Sequence, residues 1–237
     1  MKNIFKIHVF FYLFGIICIF NGLFKDFIYI MGIVLFHEIG HILVGSYYKW
    51  KIKKIVILPM GGITIFETYL NTKLKEEFLV SIAGPLFQCL LFLNKNPDFT
   101  YYNKLLLFFN LIPIIPLDGS KIMNVLLNKI FSFNLSYKIS NYISVILIII
   151  LLYISNNLMN ILVLLFLIIK TIDNIKKRKY IFNKFLFERY LYKFKFKNKK
   201  IVDNIYQMKK DYKHLFYINK TYQTEKEYLS RMFDKKE

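Results

Sequence analysis

The chain has 237 residues, 56% of them hydrophobic, with a formal net charge of +19. So apolar a composition excludes an ordinary soluble domain. The lysines flank apolar runs and fill a tail, which fits anionic lipid and cytoplasmic membrane faces rather than direct nucleic-acid binding.

Six apolar runs follow one another, at residues 7–23, 27–48, 77–93, 104–127, 139–154 and 158–169. They predict an all-α polytopic membrane protein of about six transmembrane helices. The first run follows Lys2 and Lys6 as a signal peptide would, but no small-residue cleavage site comes after it, so it reads as an uncleaved span. Cys18 and Cys89 lie in apolar runs and read as small buried hydrophobes rather than a disulfide.

The second run contains His37-Glu38-Ile39-Gly40-His41. On a helix, histidines at i and i+4 share a face and can grip one metal ion, with the glutamate beside them as general base. An ionisable cluster at membrane depth is costly, and a metal ion would give it both a partner and a task. Residues 50–70 then alternate β-branched and polar side chains around Pro59-Met60-Gly61-Gly62, predicting a β-hairpin at the membrane surface. Gly61 and Gly62 read either as a turn alone or as a substrate gate.

Ser81-Ile82-Ala83-Gly84-Pro85-Leu86 in the third run predicts a helix break, with small residues that permit close helix packing. The fourth run holds a second break, Asn110-Leu111-Ile112-Pro113-Ile114-Ile115-Pro116-Leu117-Asp118-Gly119. Two prolines cannot donate to a helix ladder, and such a break persists in a bilayer only when buried in protein or lining a cavity. Its unwound backbone could pair with an extended substrate. The fifth and sixth runs are nearly unbroken Ile, Leu and Val.

Residues 1–180 thus read as a transmembrane domain and 181–237 as a small basic tail of α/β character. Within the tail, 201–202 predicts a strand, 203–213 a helix, 215–218 a strand and 225–233 a helix, too little chain for a large core. Lysines cluster at the N-terminus, around residues 49–54 and in the tail, so both termini are expected to be cytoplasmic.

Catalytic zinc takes three protein ligands and keeps one open position. Besides His37 and His41 the chain has only His8 and His214, whereas Asp118 is the acidic residue of the fourth run. At 1.5 Å per residue, His37 and His41 lie about 15 and 21 Å along the second run and Asp118 about 21 Å along the fourth. Matching depth makes Asp118 the third candidate ligand.

Taken together, F-H-E-I-G-H, P-M-G-G, S-I-A-G-P-L and N-x-x-P-x-x-P-L-D-G resemble the site-2 protease family of intramembrane zinc metalloproteases, and within it the sporulation branch. The resemblance is strong over residues 27–129 and architectural elsewhere. It implies one Zn2+ on His37, His41 and Asp118, Glu38 as catalytic base, and Asn110, Pro113 and Pro116 shaping the substrate region. The chain departs from the family pattern at Ser120, where a glycine is usual, and near Gln88, where asparagine is usual.

The resemblance further implies a membrane-associated substrate, the pro-sequence of a sporulation sigma factor (pro-sigma-K), and inhibitory membrane proteins as partners. The implied setting is the mother-cell membrane around the forespore. The tail would correspond to a degenerate cystathionine-β-synthase-type half-domain, with ATP as its ligand and a homo-oligomer as the means of completing it. Two alternatives stand beside this reading. One is a general site-2 protease acting on anti-sigma factors or remnant signal peptides. The other is a membrane metal transporter or sensor, against which the fifth and sixth runs offer almost no polar path.

Overall fold

The computed structural model describes residues 5–7, 9–58, 61–155, 158–218 and 220–234. They fall into two compact units. The first comprises the chain up to Thr68, Phe78–Ile112 and Leu117–Gly119; the second comprises Tyr69–Glu77, Pro113–Pro116 and the chain from Ser120 onward.

In the first unit, β1 (Phe5–Ile7) and α1 (Val9–Phe20) precede the long helix α2 (Phe24–Tyr47). The expected hairpin forms as β2 (Lys51–Leu58) and β3 (Gly61–Glu67), antiparallel, with Ile55 opposite Thr64 and Ile57 opposite Gly62. β1 adds to it in parallel, Phe5 opposite Ile55, leaving β3 at the sheet edge. That third strand was not legible, because three residues are too few to show an alternation. Gly62, Thr64 and Phe66 share one face of β3, as period-two alternation requires. They meet α2: a Cβ on Gly62 would lie 2.5 Å from the Glu38 carboxyl carbon, and a Cβ on Gly45 would lie 2.6 Å from the Phe66 ring.

Helix α3 (Leu74–Cys89) runs on through Pro85, so the break expected at residues 81–86 does not occur. A proline forfeits one ladder hydrogen bond, but neighbouring helices hold such a turn together inside a membrane. Here α2 does so at close range: a Cβ on Gly40 would sit 2.6 Å from the Ala83 carbonyl oxygen. A 3-10 turn (Leu90–Leu93) leads to α4 (Pro97–Leu111), whose start is fixed by Asn96, accepting from Phe99 N–H at 3.1 Å, and by Pro97 in the first turn. Ile30, Ile33 and Val34 of α2 bury against Leu106 of α4.

The fourth apolar run is two helices. The chain leaves the helix at Ile112 and resumes it in α5 (Asp118–Ile130), with the proline-bearing segment between them. The depth estimate for Asp118 therefore does not apply, since it assumed an unbroken rise. Gly119 belongs to the turn-round: a Cβ there would stand 2.1 Å from the Leu111 carbonyl oxygen. Among the described residues, three helical segments, Phe24–Tyr47, Leu74–Leu93 and Phe133–Ile154, are long and apolar enough to cross a membrane. Both cysteines are free; Cys18 is buried, but Cys89 is exposed, contrary to the expectation of two buried thiols.

The second unit contains α6 (Phe133–Ile154), α7 (Leu158–Lys176), α8 (Arg178–Leu191) and a sheet of β4 (Asn198–Val202), β5 (Tyr212–Ile218) and β6 (Thr221–Thr224), closed by α9 (Glu225–Phe233). β4 and β5 are parallel, β5 and β6 antiparallel. The helix expected at 203–213 is only a 3-10 turn, Ile205–Gln207, because a polar stretch with Asn204 bonding forward to Tyr206 N–H favours a turn. α9 starts at Thr224 with a reciprocal cap from Glu227. The tail gains a core by borrowing: Phe182, Phe185, Leu186, Val202, Met208, Phe216 and Leu229 pack with Phe133 of α6, and the Phe133 and Phe185 rings stack at 4.1 Å. Each such side chain contributes about 1.5–3 kcal/mol when fully buried.

A buried polar knot sits beside that core. The Arg189 guanidinium lies between the rings of Phe185 and Phe196, 4.8 and 4.9 Å from their centroids. It donates to Asn71 Oδ1 at 2.6 Å, Lys209 O and Tyr212 O at 2.8 Å, and Glu225 Oε1 at 2.9 Å. Asn71 in turn donates to Glu188 Oε2 at 3.1 Å, Asp211 accepts from Leu74 N–H at 3.1 Å, and Lys210 pairs with Glu77. Glu77 is thus paired rather than free in solvent.

Acid will loosen this knot first. Burial pushes His214 below the ordinary imidazole range, and Lys209 N–H donates to its Nε2 at 3.0 Å, as only a neutral ring allows. Burial opposes ionisation of Glu225, but His214 and Arg189 outweigh it and hold the carboxyl below its usual range. Unfolded histidine takes up its proton below about pH 6.5 and unfolded glutamate below about 4.3, while the folded groups resist. Both contributions are complete at neutral pH. The first fades as pH falls from about 6.5, the second as pH falls below about 4.3. Amide protection factors in β5 and α9, taken relative to the intrinsic exchange rate at each pH, are therefore expected to fall between pH 7 and pH 5, with a His214→Gln variant showing a shallower response.

Candidate metal centre

The spacing of His37 and His41 puts both rings on one face of α2, and both are buried. Each ring has its tautomer fixed. Gln88 Nε2 donates to the Asn103 carbonyl at 3.0 Å, so its Oε1 is the atom facing His37 Nδ1 at 2.8 Å, and that nitrogen must carry the proton. His41 Nδ1 donates to the Val80 carbonyl at 2.7 Å, which can only accept. Both Nε2 lone pairs are thereby left for a common target. They converge on Asp118 Oδ2, at 2.8 Å from His37 and 2.9 Å from His41, and lie 3.1 Å from each other.

Two imidazole nitrogens and one carboxylate oxygen are a donor set suited to zinc. These ligand atoms all lie within 4.8 Å of one another and could hold a single ion. Backbone and amide acceptors on the far nitrogens are the usual means of orienting metal-binding histidines. Gly84 provides the room: a Cβ there would fall 2.3 Å from His41 Nε2 and 2.5 Å from His37 Nε2. Gly84→Ala is accordingly expected to lose metal and activity together. The added methyl favours the helix by about 1 kcal/mol, so circular dichroism should show no loss of helix. Full metal content in that variant would contradict the geometry.

Glu38 follows His37 by about 100° and is about 60° round the helix from His41, so it flanks the face that carries the rings. It is 4% exposed. The Thr64 hydroxyl donates to its Oε2. Gly62 lies directly against the carboxyl group, where a side chain would collide with it. The structure thus joins His37, His41, Asp118, Glu38 and Gly62 within one unit; Asn110 is buried in the same unit, near the end of α4. Gly61 opens β3, while Pro113 and Pro116 belong to the second unit. His214 lies in the tail's polar knot, and His8 lies outside the described residues.

Thr64 and the Val80 carbonyl were missed by sequence reasoning. The alternation Gly62, Thr64, Phe66 was visible, but nothing local says which face of β3 meets α2. Gln88 was noted as a departure from a pattern, and its bond to His37 gives that departure a physical role.

Comparison with known proteins agrees with this geometry. The sequence matches Peptidase family M50 over residues 26–93 and 99–154. It is 33% identical to stage IV sporulation protein FB of Bacillus subtilis, over 79% of this chain and 72% of that protein. It is 31% identical to a zinc metalloprotease of Methanocaldococcus jannaschii, over 68% of this chain and 54% of that one. The fold is similar to the solved site-2 protease from the same archaeon, with a TM-score of 0.59 and 31% identity, covering 72% of this chain and 89% of that one. Buried metal-type ligands on apolar helices, the family match and the shared fold lead to one conclusion: the chain belongs to Peptidase family M50 and is a zinc metalloprotease of the site-2 protease type.

Proposed function

We propose that the protein hydrolyses a peptide bond in the membrane-associated pro-sequence of a sporulation sigma factor, pro-sigma-K, near the cytoplasmic face. The observation that carries the chemistry is the pair of imidazole lone pairs aimed at Asp118 Oδ2 with the Glu38 carboxylate held by Thr64 beside them. His37, His41 and Asp118 would hold the zinc ion, which when bound polarises the scissile carbonyl and acidifies a water molecule. Glu38 takes the proton of the attacking water and delivers it to the leaving amine nitrogen. Thr64 holds the carboxylate in place for both transfers. The substrate must be extended, since a helix engages its own carbonyls, and the free edge of β3 suits an added strand. By the family resemblance, Asn110, Pro113, Pro116, Gly61 and Gly62 are the residues assigned to engage it.

The remaining expectations belong to the same reading. α1, the α4–α5 pair and α7 complete a six-pass arrangement with both termini cytoplasmic, in the mother-cell membrane around the forespore. Likeness to a sporulation protein supports that setting. Co-expression with a candidate pro-sigma-K tests the substrate: the pro-protein should shorten on a gel with the wild-type chain and stay full length with Glu38→Gln. An unprocessed pro-protein, alongside cleavage of a remnant signal peptide or an anti-sigma factor, would move the assignment to a general site-2 protease. Running the assay with and without ATP tests the nucleotide as a ligand of the tail.

A further inference from the structure

Ile115 lies in the unwound segment between α4 and α5, three residues before Asp118. Its N–H donates to Ser144 Oγ of α6 at 3.2 Å, and its carbonyl accepts from Thr171 Oγ1 of α7 at 3.3 Å. Ser144 Oγ donates to Ser140 O at 2.9 Å and lies 3.4 Å from Pro113 O. Both hydroxyl-bearing residues are buried, Ser144 at 0% and Thr171 at 2% exposure. The spacing of α6 and α7 is itself laced: Asn174 Nδ2 donates to Asn141 Oδ1 at 2.9 Å, and the Tyr137 hydroxyl donates to Asn174 O at 3.0 Å.

An apolar medium offers no water to a broken helix, so freed backbone groups must find protein partners. Here the partners come from two different helices and grip one peptide residue at both of its polar ends. We propose that Ser144 and Thr171 are positioning residues for the metal centre, acting through the backbone of Ile115 to fix where α5 begins and therefore where Asp118 presents its carboxylate. The inference rests on Asp118 being a metal ligand. The bond to Ser144 also occupies the single N–H donor of Ile115, so that group is not available to pair with substrate.

The test uses full-length protein in detergent, with zinc affinity measured by chelator competition and the d–d spectrum recorded after cobalt substitution. Thr171→Val keeps the side-chain shape and removes the donor. It is expected to weaken zinc binding about tenfold, the lower end for loss of a group that orients a ligand, and to alter the cobalt spectrum. Thr171→Ser should restore both. Ser144→Ala should act in the same direction. A purely architectural role would lower thermal stability and leave affinity and spectrum unchanged, which would overturn the proposal. Asp118→Ala is run alongside: if it loses zinc while Thr171→Val and Ser144→Ala bind as wild type, the clasp fails and the ligand assignment stands. If Asp118→Ala keeps zinc, the ligand assignment fails first and the clasp with it.

Discussion

Glu38→Gln is expected to abolish peptide cleavage while the purified protein still carries one zinc per chain. The amide is nearly isosteric with the carboxylate, and the Thr64 hydroxyl can still donate to its oxygen, so the packing under Gly62 is preserved. What is lost is the capacity to take a proton. Positioned general bases contribute about 10²–10⁴-fold to rate, and the loss here should reach at least that range. Metal analysis and single-turnover cleavage on the same preparation give the answer. Zinc lost together with activity would make Glu38 a structural residue; unchanged cleavage would remove it from the chemistry.

Asp118→Ala should do the opposite, lowering metal content and activity in step. Asp118 Oδ2 is the point on which both histidine Nε2 atoms converge, and with His37 and His41 it forms the metal-type cluster of the described residues. Removing a direct ligand should exceed the 10–100-fold loss typical of an outer partner, so affinity is expected to fall by more than about 100-fold. Asp118→Asn retains the shape and loses the charge, and should lie between the two. Competition with a chromophoric chelator measures all three. Zinc retained by Asp118→Ala would direct attention to another donor, His8 first.

The two histidines were legible because their signal is local: a four-residue spacing on a helix fixes a shared face whatever surrounds it. Asp118 was legible by composition, as the acid of its apolar run, but the depth argument for it assumed a helix that the chain does not form. The helix stops at Ile112 and restarts at Asp118, and the side-chain-free Gly119 packs against the Leu111 carbonyl, with the carboxylate at the histidines. Pro85 misled in the other direction, since its tolerance depends on α2 lying against Ala83, which no local pattern states. The contribution of Thr64 depends on the register of a sheet against a helix, and that of Val80 on a carbonyl, which has no sequence signature at all. In the tail, the strand near 201 and the helix from Glu225 stand where the sequence placed them; the Asp203–Lys213 stretch does not, because the core requires Met208 to point inward.

Arg189 limits how this protein can be rebuilt. It holds Asn71, in the short connection that carries the chain from β3, which bears Thr64, to α3, which bears Val80 and Gln88. A tail exchanged for that of a relative would have to bring its own arginine to the same asparagine, or leave a buried amide and a buried charge without partners. Chimeras joined after α7 should therefore fail unless residues 69–77 are transplanted with them, and the natural junction for recombination lies in that connection as much as at the end of the last apolar helix.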